Sequence, residues 1–85
     1  MKASDALLLA LARQWAKDGT ARRIREAARL AQSDIAAVVG VTGGAVSHWE
    51  AGDRVPRGAA GLQYARLLEA LRGADGERDS VTTSG

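Results

Sequence analysis

Apolar positions along the chain recur at intervals of three and four, and nowhere do they alternate with polar ones over the length of a strand. Gly19, Gly40, Gly52, Gly58 and Gly73 punctuate the pattern. The periodicity predicts an all-α fold of five helices. The first covers about Ser4–Lys17, with Ser4 as N-cap, Asp5 in the first turn, and Leu7, Leu8, Leu11 and Trp15 as the inward stripe. The second covers about Thr20–Leu30, capped by Thr20, with Ile24, Ala27 and Ala28 inward and arginines outside. The third, about Gln32–Val39, buries Ile35, Ala36 and Val39. The fourth runs over about Gly43–Ala51 and the fifth over about Gly58–Leu71, with Leu62, Ala65, Leu68 and Leu71 as its buried row. Residues 73–85 are Gly, Ser, Thr and charge, so a compact domain over 1–72 is expected to end in a disordered tail.

At 85 residues and 8.9 kDa the chain allows one domain and leaves little room for a deep cavity with a catalytic apparatus. No nucleophile with a base, no phosphate loop and no metal cluster is apparent, so an enzyme is not expected. There is no Cys and a single His, which argues against thiolate zinc, disulfides and metal binding; no cofactor is expected. The run from Ala6 to Ala12 is too short to span a membrane, and the charges around it read as an amphipathic core helix rather than a signal peptide. A cytoplasmic location is expected. Residues 1–72 hold 11 basic and 7 acidic residues, a net of +4, while residues 73–85 carry −2. A basic body points to a polyanionic partner, although many solvated surfaces share that balance.

The stretch from Gln32 to Val46 carries the chemistry. Counted from Gln32, positions five, nine and fifteen are Ala36, Gly40 and Val46. Small Ala36 lets a second helix approach, Gly40 supplies a left-handed turn, and Val46 fills the space between the two helices. This is a helix-turn-helix pattern. Val46 and Trp49 point inward together, Val41 and Val46 form a hydrophobic staple, and Thr42 caps the fourth helix at the amide of Ala45. Thr42, Gly43, Gly44, Ser47 and His48 are then left on a face free of large apolar residues, suited to the major groove of DNA.

The residues Ile24-Arg25, Leu30-Ala31-Gln32, Ile35-Ala36, Gly40-Val41-Thr42, Val46-Ser47-His48-Trp49-Glu50, Gly52, Arg54 and Pro56 resemble the lambda-repressor and Cro-like (XRE-type) helix-turn-helix family over residues 20–72. The resemblance implies a lambda-repressor-like domain that binds operator DNA in sequence-specific fashion as a transcriptional regulator of the repressor or Cro type, in phage or prophage. It implies base reading by Thr42, Gly43, Gly44, Ser47 and His48. Phosphate contacts fall to Gln32 at a helix N-terminus and to Arg54 and Arg57 in the following loop, with Arg22, Arg23 and Arg29 as further candidates; a solvated charge is the competing reading for each arginine. The resemblance also implies an Arg25–Glu50 ion pair. Four positions depart from the family: Gly43 and Gly44 replace side chains that read bases, Ala31 replaces a capping Ser or Thr so that Ser33 is expected to cap instead, and Arg29 stands where relatives have Gly. A homodimer is expected, with its seam on the fifth helix at Tyr64, Leu67 or Leu71, or on the first helix at Leu8 or Leu9. The alternative function is a DNA-binding antitoxin that neutralises a partner toxin, docked by the first helix or the tail.

Overall fold

The structure is a computed structural model that describes residues 1–84, with residues 75–84 as backbone alone. It contains five helices and, among the described residues, no strand: α1 (Ala3–Asp18), α2 (Thr20–Ala27), α3 (Gln32–Val39), α4 (Gly43–Ala51) and α5 (Gly58–Ser84). Gly73 does not stop α5. It lacks the positive φ that ends a helix, and a helical glycine without such a turn merely weakens the helix by about 1 kcal/mol. The tail expected over 73–85 lies, from residue 75 on, outside the residues whose side chains are described.

One core is shared by all five helices. It comprises Ala12, Ala16, Ala21, Ile35, Ala36, Val39, Val46, Trp49, Tyr64, Ala65 and Leu68, with Leu8, Trp15, Ile24, Leu30, Leu67 and Leu71 packed at its edge. On α1 the buried face is Leu9, Ala12 and Ala16 rather than the stripe through Leu7 and Leu11, which are 65% and 38% exposed. Small alanines at the contact let α1 settle closely on α2 and α5, and the larger leucines rotate outward as a result. Gly61 of α5 belongs to the same arrangement. A Cβ there would lie 2.8 Å from the carbonyl carbon of Pro56 and 3.1 Å from Leu9 Cδ1, so only glycine admits the loop before α5. Arg13 of α1 holds that loop from the other side, its Nε donating to the Pro56 carbonyl at 2.8 Å.

The helix ends differ from the sequence reading in four places. Ser4 lies inside α1, which begins at Ala3 after Lys2. At α2, Gly19 takes the N-cap position, and Asp18 Oδ1 rather than Thr20 meets a first-turn amide, accepting from the Thr20 N–H at 2.9 Å. Hydrogen bonding from the Thr20 side chain, and then from its amide, holds the Asp18 carboxyl below its ordinary range. At α3, Ser33 does not cap. The carboxylate of Asp34 reaches back to the Ala31 N–H at 2.8 Å, the acidic half of a capping box. Helix α2 ends at Ala27, not Leu30, because the chain turns through Arg29 at φ 59. That left-handed conformation explains why a glycine suits the position; Arg29 occupies it at a cost of about 1 kcal/mol. On α2, Ala21 is fully buried and Ala27 is exposed.

Candidate nucleic-acid interface

Helices α3 and α4 are joined by a tight turn whose geometry follows from its residues. Gly40 sits at φ 85, and the Gly40 and Val41 amides donate to the Ala36 carbonyl at 2.8 and 3.0 Å. Thr42 is extended, and its Oγ1 accepts from the Ala45 N–H at 3.1 Å. Val41 lies half-buried against the core that Val46 enters completely. One turn further, Trp49 is buried and its ring meets Tyr64 at 4.7 Å between centroids, tilted by 39°. Gly52, at φ 81, closes the helix.

The inner face of α4 is thus fixed by Val46 and Trp49. Its opposite face is free: Gly44, Ser47, His48 and Ala51 are exposed, together with Thr42 at the cap, while Gly43 is half-buried. Neither glycine is required by the fold. Both have ordinary φ, a Cβ on Gly43 would meet nothing, and one on Gly44 would meet only Thr42 Oγ1 at 3.8 Å.

The back of α4 is held by a bidentate ion pair. Arg25 Nε and Nη2 donate to Glu50 Oε2 and Oε1 at 2.6 and 2.9 Å, and Arg25 Nη1 donates to the Leu30 carbonyl at 2.9 Å. The two side chains are only 12% and 5% exposed. Burial pushes the Glu50 carboxyl upward, but hydrogen bonds from Arg25 and Gln32 outweigh it and leave the carboxyl below its ordinary range. Gln32 is part of this cluster: its amide donates to Glu50 Oε1 at 3.1 Å. Any phosphate contact by Gln32 would therefore use its remaining N–H.

Around this core the other predicted residues separate into groups. Ser47 and Arg22 line one groove beside the ion pair, and Arg22 pairs with Glu26 at 3.3 Å on the α2 surface. Arg54 and Arg57 line a second groove that reaches Ala45 of α4. Arg23 and Arg29 line neither. Arg23 lies at the start of α2 with Nη2 donating to Thr20 Oγ1 at 3.3 Å, and Arg29 occupies the turn after α2. The sequence reading overlooked Asp53. Its Oδ2 lies 3.3 Å from His48 Nδ1, brought there by the turn in which the Asp53 amide donates to the His48 carbonyl at 3.0 Å. The only local signal was a carboxylate just past the helix-ending glycine.

Two of the expected seam residues, Tyr64 and Leu9, are buried, while Leu8, Leu67 and Leu71 are half-buried. Tyr64 is 1% exposed and belongs to the core, where desolvation, and then Glu50, raises its phenol well above the usual range. Leu9 is also core, and Leu8, Leu67 and Leu71 pack against it. The leucines left outside are Leu7 and Leu11 of α1.

A short α-helical hairpin with a free outer helix face, braced from behind by a buried ion pair, is the architecture of a helix-turn-helix module. The family described as helix-turn-helix domain matches residues 19–81, and the chain belongs to it. It is therefore a DNA-binding regulator in the broad sense of that family. No curated protein and no solved structure matches the chain. Among the described residues no group of acidic or His side chains could hold a metal ion, and no helix is long and apolar enough to cross a membrane.

Proposed function

We propose that the protein is a sequence-specific regulator of transcription that occupies operator DNA as a repressor or Cro-type switch, with α4 in the major groove. The observation that carries this reading is the two-sidedness of α4. One side is immobilised by Val46, Trp49 and the Arg25–Glu50 pair, and the other presents Thr42, Gly43, Gly44, Ser47 and His48. Glycines that the fold does not need suit a helix whose backbone comes close to a partner. Ser47 offers a hydroxyl that donates or accepts. In its neutral form, with Nδ1–H toward Asp53, His48 presents Nε2 as an acceptor, matched to the exocyclic amine of cytosine or adenine; protonated, it donates to guanine. Arg54, Arg57, Gln32 and Arg22 flank this face as phosphate contacts, with Arg23 and Arg29 further out.

The regulator works in the bacterial cytoplasm as a pair of copies on an inverted repeat, one half-site each. The exposed Leu7 and Leu11 of α1 replace the buried Tyr64 as the apolar surface for that pairing. The same exposed leucines are what favours the second reading, an antitoxin whose toxin docks on α1. A footprint over the DNA flanking the protein's own gene tests the proposal. A short, symmetric protected site is the expected result. Equal affinity for that DNA and for random duplex would contradict sequence-specific regulation.

A further inference from the structure

Beyond the helix-turn-helix, a groove runs between the second half of α1 and the loop after α4. Arg13 and Lys17 line it from α1, Arg54 and Val55 from the loop, over a floor of Trp49 and Pro56. It merges with the groove that reaches Ala45 and Arg57, since both are lined by Trp49, Arg54 and Val55. Among the described residues no acidic side chain lines either one. Arg22, Arg25, Arg66 and Arg72 each have a carboxylate partner. Among the described residues Arg13, Lys17, Arg54 and Arg57 have none within ion-pair distance. Lys2, Arg23 and Arg29 also have no carboxylate within ion-pair distance among the described residues, but they line neither groove. Like charges gathered along one groove repel one another, and an anion laid between them relieves that repulsion.

The floor narrows the choice of anion. Val55 is 56% exposed and continuous with Pro56 and Trp49, so the groove is apolar below and cationic at its rim. A nucleic-acid backbone has the same alternation, with apolar sugar between charged phosphates. An acidic peptide is the competing polyanion, but the groove begins at Ala45 on α4 itself, which ties it to whatever α4 approaches.

We propose that α1 is part of the DNA-binding surface. Arg13 and Lys17, in line with Arg54 and Arg57, take the sugar–phosphate backbone at the edge of the half-site. The inference rests on the DNA-binding reading above and extends it to a helix that lies, but for its connection to α2, outside the family match at residues 19–81. Arg13 has two functions here, since its Nε also holds Pro56 while both Nη groups are free of protein partners among the described residues.

The test is the slope of log affinity against log salt for a short duplex, measured with the full chain and with Lys17→Gln, Arg54→Gln and Gln14→Lys. Lys17 makes no hydrogen bond among the described side chains, so its replacement leaves the fold intact, which a melting curve checks. Lys17→Gln is expected to flatten the slope by about 0.9 and to weaken binding about fivefold near physiological salt. Gln14→Lys, on the same groove wall, is expected to steepen the slope by a similar amount. If Arg54→Gln flattens the slope while both α1 variants match the wild type, the interface ends at the loop and the proposal fails although DNA binding stands. If the wild-type chain binds polyglutamate but no duplex, the DNA-binding reading fails and the proposal with it.

Discussion

Arg25 and Glu50 meet through two parallel hydrogen bonds of 2.6 and 2.9 Å, and this pair ties α2 to the back of α4. A buried bidentate pair is worth less for its attraction than for what its loss leaves behind. Glu50→Gln keeps the shape but leaves Arg25 short of a counter-charge, and a stability loss of about 1–3 kcal/mol is expected. The dependence on pH has a definite sign. The folded Glu50 carboxyl lies below its ordinary value of 4.5, so its contribution is complete above that pH and is lost as the pH falls through the folded value. Melting curves of wild type and Glu50→Gln should therefore converge in acid and stay apart at neutral pH. A constant gap would contradict the assignment.

Gly44 separates folding from binding. Its Cβ position is open and its φ ordinary, so Gly44→Ala is expected to raise stability by up to about 1 kcal/mol through helix propensity. The same change should weaken binding to the preferred duplex, because it thickens the face that approaches the groove. Gly44→Arg should go further and alter the preferred sequence. Thermal melts and duplex titrations on the same variants check this. Stability and affinity rising together would show that the glycines do not serve close approach.

Asp53 should act through His48. With Asp53→Ala, nothing holds the proton on Nδ1, and Nε2 becomes donor or acceptor according to the tautomer. The preference at one base position is expected to broaden while the other positions keep theirs, and Asp53→Asn, whose carbonyl oxygen still accepts from Nδ1–H, should restore it. Selection from random duplexes reads the effect. A consensus unchanged in Asp53→Ala would remove the carboxylate from the recognition chemistry.

The parts of this protein that were legible in its sequence are those set by local sterics. Ala36, Gly40 and Val46 at fixed spacing fit a crossing of two helices, Gly40 takes the left-handed turn, and Thr42 caps α4. Helix α1 was harder, since Leu7, Leu8, Leu9 and Leu11 give an apolar surface with no single face. The choice fell to long-range fit, with Ala12 and Ala16 packed inside and Gly61 admitting Leu9 and Pro56. Tyr64 has an apolar body with a polar tip and so reads equally as core or edge; the Trp49 ring settles it inside. The Gln32–Glu50 and His48–Asp53 contacts depend on where turns bring side chains, which periodicity does not encode.

The central claim is that the outer face of α4 reads bases, and Ser47 and His48 are the side chains that project from the middle of that face. Neither is buried, so replacing both with Ala should leave the melting curve nearly unchanged. The direct measurement is a selection from random duplexes by wild type and by the double variant Ser47→Ala, His48→Ala. The wild type should recover a defined consensus. The double variant should lose about 1–3 kcal/mol of discrimination per missing base contact while retaining its affinity for random DNA. Recovery of the same consensus with the same enrichment by both would show that α4 is not the reader.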